Sequence, residues 1–321
     1  MYEKYLEKFK KKDIAIIGDL MLDKYLYGNV ERISQEAPIP ILMVEKEKYV
    51  LGGAANTASN VKKLSGNAYL FGILGDDREK EIFLTCTKDA GVITSGVLIT
   101  SKKPTIQKIR VIGHKQQMLR IDYESKDYIE EELTEKLFSK LKQQKNIDAI
   151  VISDYAKGTI TYSLMKNLVS YAHEKKILLL VDPKPKHKSY YYGANLIKSN
   201  IKEAEEMIGF QIETAEDIKK AGKSLIKMFG SDIIMTLGER GMAVFEKNGT
   251  SMQIPTKAKE VYDVSGAGDT VMATLALSLS TGASLKEAAI LANHSAGIKV
   301  SKIGTAPVSL EELRENLKNE R

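Results

Sequence analysis

The stretch Val261-Tyr-Asp-Val-Ser-Gly-Ala-Gly-Asp-Thr270 runs without a break into an apolar segment at 271–279. Glycines that stop where an apolar run begins define a tight loop feeding the N-terminus of a buried helix. The first turn of such a helix leaves backbone N–H groups unpaired, and the aligned peptide dipoles add partial positive charge there. Gly266 and Gly268 carry no Cβ, so an anion can come close to the amides of Gly266, Ala267 and Gly268. Asp269 places a carboxylate beside that same anion site. Two like charges side by side serve no purpose in binding alone. They serve one if Asp269 takes a proton from a hydroxyl while the amides stabilise charge on a transferring phosphoryl group. A capping Asp behind a glycine turn explains the same letters, so the rest of the chain must decide.

With 321 residues the chain holds one large or two ordinary domains, and either can bury a substantial core. A hydrophobic fraction of 43% and a charged fraction of 28% are those of an ordinary globular protein. No apolar run is long enough to span a bilayer, and the Lys-rich start at 2–12 lacks a signal-peptide core. Cys86 is the only cysteine, which rules out an intramolecular disulfide and makes a cytoplasmic location the expectation. It falls in a predicted helix, where a buried, inert thiol is expected. The net charge of +6 comes from scattered lysines interleaved with glutamates. There is no basic arm or aromatic–basic alternation, so neither nucleic acid nor membrane is an expected partner.

The apolar run at 13–18 reads as a buried strand ending at Gly18 and leading to Asp19 and Asp23. Carboxylates just past the C-terminal end of a parallel strand sit where open α/β sheets bind ligands. Residues 25–44 carry few helix signals, contain Pro38 and Pro40, and end strand-like at 39–44. Small residues at 51–60 open a helix reaching Leu64, followed by a strand at 68–72 and a helix at 77–90. Residues 101–122 break the rhythm with two predicted strands, 105–112 and 118–121, around a turn at Gly113. Ile alternating with Lys or Arg there predicts a sheet with one wet face. Together with 25–45 this segment is expected to form a small separate sheet, a lid. Helix–strand alternation resumes from Ile129, with strands at 149–153, 177–182, 195–198 and 232–236. Strands near Ala243 and Met252 precede helices at 267–279, 285–301 and from Leu310 onward. No internal repeat, low-complexity segment or linker appears. The expectation is a single α/β domain over 1–321, a doubly wound and mostly parallel sheet flanked by helices.

Other patterns fit ligands and plain structure alike. Gly52 and Gly53 let a sugar approach the backbone, and Asn56 can donate to and accept from hydroxyls; close helix–sheet packing explains them too. Asp23 suits paired sugar hydroxyls or a turn. Asn200 and Glu203, three apart after a strand, can order water around a magnesium ion, or form a capping box, or both. Thr236, Gly238 and Gly241 follow a strand and would let nucleotide phosphates lie against the backbone, although a hairpin explains them as well. Ala221-Gly-Lys-Ser224 resembles the tail of a Walker A loop, but Asp217 stands where its first glycine belongs, and the segment reads as helix. His114, His173, His187 and His294 show no zinc spacing, and no Gly-x-Ser-x-Gly elbow is present.

Taken in order, these motifs resemble the ribokinase, or PfkB, family of sugar kinases along nearly the whole chain. Gly52-Gly53 and its surroundings are similar to the first family signature. Asp263-Val-Ser-Gly-Ala-Gly-Asp-Thr270 is similar to the second, with Val264 where Thr is common. Asn200 and Glu203 match the family's magnesium motif. Within the family, the segments 18–28, 32–40, 51–56, 116–122, 153–158 and 182–184 resemble the kinase part of bacterial heptose kinases. Those enzymes phosphorylate C1 of D-glycero-β-D-manno-heptose 7-phosphate on the way to ADP-heptose for lipopolysaccharide. Many carry a second, nucleotidyltransferase domain with a His-x-Gly-His motif, which this sequence lacks.

The resemblance implies a ribokinase-like fold, ATP as donor, and Mg2+ held through water by Asn200 and Glu203. It implies a nucleotide wall from Thr236, Gly238, Gly241, Asp263, Gly266 and Gly268, and a sugar site from Asp19, Asp23, Gly52, Gly53 and Asn56. Asp269 would be the base, with the amides of Gly266, Ala267 and Gly268 as the anion hole. A phosphate already on the sugar requires cations, for which Lys108, Arg110, Arg120, Lys157, Lys184 and Lys186 are candidates, the arginines favoured by their planar fork. A homodimer through the lid and a monovalent cation are further family expectations. Two rivals stand beside this reading: a kinase of another sugar such as fructose 6-phosphate, and a catalytically silent sugar-phosphate sensor.

Overall fold

Strand β1 (Asp13–Gly18) has five consecutive buried residues, so it presents no face to water. Such a strand is stable only when both sheet faces are covered. The computed structural model, which describes residues 2–114, 116–258, 260–302 and 306–318, supplies that cover. Ile14 and Ile16 enter one apolar core, while Ala15 and Ile17 enter a second on the opposite face.

The remaining strands are β2 (Leu20–Ile33), β3 (Pro40–Gly53), β4 (Asn67–Gly75), β5 (Ile93–Thr100), β6 (Ile106–Gly113) and β7 (Gln116–Tyr123). They continue as β8 (Ala149–Ser153), β9 (Leu178–Asp182), β10 (Leu196–Asn200), β11 (Asp232–Thr236), β12 (Met242–Phe245) and β13 (Ser251–Ile254). Among the described residues, nine form one sheet in the order β13-β12-β11-β10-β9-β8-β1-β4-β5. It is parallel except at β11–β12 and β12–β13. The helix Ala267–Ser280 packs over β8 and β9 and beside the helix Ala54–Lys63. The Walker-like letters lie inside the helix Ala215–Phe229, where a Cβ at Gly222 would meet the Phe245 ring at 2.4 Å.

The other four strands form a second sheet in the order β3-β2-β6-β7. It is antiparallel except for β2 beside β6. Its bounds differ from the expectation of 25–45 and 101–122. β2 and β3 are each 14 residues long and run from buried Leu20 and Gly53 out to exposed Ile33 and Pro40. Residues 45–50 carry no strand signal in the sequence because Glu and Lys crowd this edge strand, as suits a strand that must not recruit others. β5 is equally silent in the sequence; Ser95 and Gly96 interrupt its apolar run, and it too is an edge. The helix predicted from 51 starts only at Ala54, since Gly52 and Gly53 close β3.

Candidate active site

The C-terminal ends of β1, β8, β9, β10 and β11 lie side by side and deliver Asp19, Asp154, Asp182, Lys198 and Thr236 to one edge of the sheet. The helix Ala267–Ser280 begins above that edge, with Gly266 as N-cap at φ 76°. A left-handed φ there favours glycine, and a Cβ would meet Asn56 Nδ2 at 2.8 Å. Asp269 follows in the first turn and is buried. Asn56 Nδ2 donates to its Oδ2 at 2.6 Å. Thr57 Oγ1 and Tyr155 OH donate to its Oδ1 at 2.9 and 3.2 Å. Burial raises the Asp269 pKa above the ordinary carboxylate value; the Asn56 bond and the Lys198 charge pull it partly back.

Around this carboxylate is a polar cavity of about 160 Å³, lined by Tyr155, Asp182, Lys184, Lys198, Glu203 and Gly268, among others. Lys198, buried, bonds Asp182 Oδ2 at 2.7 Å. Burial pushes Asp182 up to about 6 against the opposing pull of Lys198, with Glu203 and Asp269 adding to the rise. A larger apolar cavity of about 550 Å³ opens beside it, walled by Thr236, Gly238, Gly241, Ala267, Gly268 and Gly297 among others. Gly268 belongs to both. A Cβ there would stand 3.1 Å from Lys198 Nζ, so glycine keeps the passage open. A third cavity of about 1030 Å³ lies between the small sheet and the loop at 263–265. Tyr25 and Tyr27 are stacked along its wall, and the Arg110 guanidinium sits 5.2 Å from the Tyr25 ring centroid. The loop entering the helix thus touches all three: Asp263 and Ser265 the third, Val264 the second, Gly266 the first.

Several of the predicted residues lie together here, and others are engaged elsewhere. Asp23 Oδ1 pairs with Arg110 Nη1 at 2.5 Å. Gly52 lies under Asp23, where a Cβ would approach Oδ2 to 2.7 Å, and Gly53 has φ 56° with its Cβ position 2.3 Å from Asp19 O. Asp19 is not presented to a ligand. It is fully buried, its Oδ2 accepts from the amides of Tyr155 and Lys157, and its Oδ1 accepts from that of Thr159. It anchors the loop after β8 because a buried carboxylate needs such donors. The Ala267 amide is also engaged, donating to Val264 O at 3.2 Å. Among the described residues the Gly266 and Gly268 amides make no backbone bond.

Asn200 and Glu203 form the reciprocal capping box: Oδ1 of Asn200 accepts from Glu203 N at 2.9 Å, and Oε2 of Glu203 accepts from Asn200 N at 3.1 Å. Glu203 also pairs with Lys184 at 2.6 Å and lines the polar cavity. Among the described residues no group of three or more His, Cys, Asp or Glu could hold a metal by itself. This suits an ion that keeps its own water shell, since a carboxylate has about four acceptor positions and Glu203 uses only two. The Asp263 carboxylate accepts from Ser265 N at 2.8 Å and so shapes the loop.

The predicted phosphate cations are all paired or displaced. Lys108 bonds Asp122 and Glu124, and Lys157 bonds the same Glu124. Arg120 grips Asp122 through two bonds and is half exposed. Lys186 lies over the Tyr128 ring, 5.3 Å from its centroid. Sequence reasoning missed Tyr155, Asp182, Lys198 and Thr57. Tyr155 stands just past the C-terminus of β8 and Asp182 at that of β9, where the rule that points to Asp19 applies, while Lys198 lies inside β10, where a lone Lys in an apolar strand is the signal.

A doubly wound sheet with a carboxylate and free amides at a helix start, beside a glycine-walled cavity, defines a phosphoryl-transfer enzyme. The model of the pfkB family carbohydrate kinases matches residues 11–313, and the chain belongs to that family. It is a sugar kinase. Among curated proteins it is 42% identical over 304 residues to the bifunctional protein HldE of Helicobacter pylori (strain J99), covering 94% of this chain and 65% of that one. It is 40% identical over 314 residues to the protein of the same name from Desulfatibacillum aliphaticivorans, covering 97% and 64%. The chain thus spans just under two thirds of these relatives. Among solved structures, Arabidopsis thaliana ribokinase complexed with ribose and ATP superposes with a TM-score of 0.77 at 20% identity, covering 96% and 98% of the two chains. Phosphofructokinase-2 from Escherichia coli superposes at 0.79 and 18% identity, covering 97% and 99%. These two are alike in fold. No helix among the described residues is long and apolar enough to cross a membrane.

Proposed function

We propose that this kinase transfers the γ-phosphoryl group of ATP to the C1 hydroxyl of D-glycero-β-D-manno-heptose 7-phosphate. The product is the 1,7-bisphosphate, on the way to ADP-heptose and lipopolysaccharide in the cytoplasm. The observation that carries the transfer step is the meeting of two cavities at Gly268, with the Asp269 carboxylate on one side and a glycine-walled apolar pocket on the other. The identity to the HldE proteins, together with the heptose-kinase motifs around Arg32 and Arg120, supports the choice of sugar.

In this reading the apolar cavity takes the nucleotide base and ribose. The amides of Gly266 and Gly268, together with Lys198, face the transferring phosphoryl group. Magnesium, when bound, neutralises phosphate charge, and Asn200 and Glu203 would hold its water shell. Asp269 accepts the proton of the anomeric hydroxyl as that oxygen attacks phosphorus. Asn56 fixes the carboxylate by its 2.6 Å bond. Asp23 and the Tyr25–Tyr27 wall hold the sugar, and Arg110, which faces the large cavity, reads its distal phosphate. The remaining cations, Lys108 and Lys157 on Glu124 and Lys184 on Glu203, would exchange carboxylate for phosphate. The small sheet acts as a lid within a single kinase domain. Its outer face exposes Leu119, Ile121 and Tyr123 and would pair with the same face of a second copy.

The test is ATP consumption with heptose 7-phosphate, sedoheptulose 7-phosphate, fructose 6-phosphate, ribose and no sugar. Selective turnover of heptose 7-phosphate with phosphate added at C1 is the expected result. Turnover of another sugar instead overturns the heptose assignment and leaves the kinase. Silence across the panel with sugar still bound favours the sensor.

A further inference from the structure

Every acceptor kinase must keep water from taking the place of its acceptor, and here the base already has partners. Asp269 Oδ1 carries two donors and Oδ2 one, all from the protein itself. Asn56 and Thr57 belong to the helix Ala54–Lys63, which packs along the helix carrying Asp269, so their bonds are part of the core. Tyr155 is different. It stands on the loop after β8, lines the polar cavity itself, and makes the longest of the three bonds, 3.2 Å.

The loop is built to bring that hydroxyl in. Asp19 holds it from below through the amides of Tyr155, Lys157 and Thr159. Asp154 Oδ1 accepts from Ala156 N at 2.7 Å, and Ala156 has φ 55°, a left-handed backbone that a non-glycine residue adopts at a cost. Lys184 Nζ sits 5.6 Å from the centroid of the Tyr155 ring, closing the other side. Burial and the charges of Asp269 and Asp182 hold the phenol pKa well above its usual value, so Tyr155 is a permanent donor.

We propose that the Tyr155 hydroxyl is a displaceable cap on Asp269. It occupies the base until the hydroxyl of an acceptor sugar replaces it, and it denies that position to water. The proposal rests on Asp269 acting as the base. The reaction it suppresses is hydrolysis: a water oxygen bonds to the γ-phosphorus, the bond to the β–γ bridging oxygen breaks, and Asp269 receives the water proton. ADP and phosphate leave. An uncapped carboxylate beside an open cavity would accept water in this role.

The experiment measures ADP release from Mg–ATP without sugar, in the whole chain, for wild type, Tyr155→Phe and Tyr155→Phe/Asp269→Asn. Phenylalanine keeps the ring against Lys184 and removes only the donor, and thermal midpoints check folding. Tyr155→Phe should raise sugar-independent hydrolysis by about tenfold. The double variant should return to the wild-type background, because the gain runs through Asp269. The KM for ATP should stay unchanged. Hydrolysis that does not rise, or a rise that survives loss of Asp269, overturns the cap. If wild type turns over a sugar while Tyr155→Phe shows no such rise, the cap alone is lost; if wild type consumes ATP with no sugar of the panel, the kinase reading falls first.

Discussion

Asn56 and Asp269 stand 213 residues apart in sequence and 2.6 Å apart in space, the side-chain amide donating to the carboxylate. This bond ties the glycine pair that ends β3 to the loop that opens the helix Ala267–Ser280. Asp269→Asn would keep the shape and lose the carboxylate proposed as the base. Turnover should fall roughly a thousandfold, with ATP affinity by calorimetry within a few fold of wild type. Near-normal turnover would remove Asp269 from the proton transfer.

Gly53 is expected to be irreplaceable on steric grounds alone. Its φ of 56° is strained for any side chain, and a Cβ would lie 2.3 Å from Asp19 O. Gly53→Ala should cost upwards of about 2 kcal/mol, read as a lower midpoint in urea. A midpoint unchanged from wild type would mean that β3 can shift without loss.

Asp182 provides a pH test. Its folded pKa of about 6 lies above the ordinary 3.8, so the folded protein holds this proton more tightly than the unfolded chain does. The stability it contributes is fully present below the unfolded value and is lost as pH rises through about 6. Asp182→Asn should therefore flatten the stability profile between those limits. It also removes the carboxylate bonded to Lys198, which strengthens the pull of that charge on Asp269, lowers the Asp269 pKa and moves the acid limb of kcat to lower pH. A limb that moves up would contradict this arrangement.

Arg110 touches Asp23, stacks near Tyr25 and faces the large cavity, whereas Arg120 is half exposed and spent on Asp122. Arg110→Ala should raise KM for a phosphorylated sugar by about tenfold or more. Its effect on the unphosphorylated analogue should be much smaller. Equal effects on both would mean that Arg110 serves only to orient Asp23.

The outer face of the small sheet places Val111 opposite Leu119 and Ile109 opposite Ile121. If this face joins two copies, Leu119→Glu should convert a dimer into a monomer in light scattering, with its circular dichroism spectrum unchanged. A wild type that is already monomeric at micromolar concentration would dismiss the interface.

The central sheet was largely legible in the sequence. The strands read at 13–18, 149–153 and 232–236 coincide with β1, β8 and β11, because doubly covered strands are unbroken apolar runs with polar ends. Edges were legible only in part: β7 and β13 were read near 118–121 and Met252, whereas the outer half of β3 hides behind Glu and Lys and β5 behind Ser95 and Gly96. At the site, glycines and Asp269 carried their geometry in their spacing. A carboxylate at a strand end gives no such clue: Asp19, turned to backbone amides, and Asp182, turned to the cavity, read alike until the loop after β8 is in place. The ion pairs of Lys108, Lys157 and Lys184 were equally hidden, because Glu124 and Glu203 reach them only through tertiary folding.

The loop at 263–268 borders all three cavities, while the walls beyond it come from separate parts of the fold. The small sheet supplies one wall; β11, β12 and the last helices supply another. Changes to Tyr25, Tyr27 or Ile112 leave the opposite wall untouched, so with the sugar and nucleotide placed as proposed, such a chain can acquire a taste for a new acceptor while its treatment of the donor stays as it was.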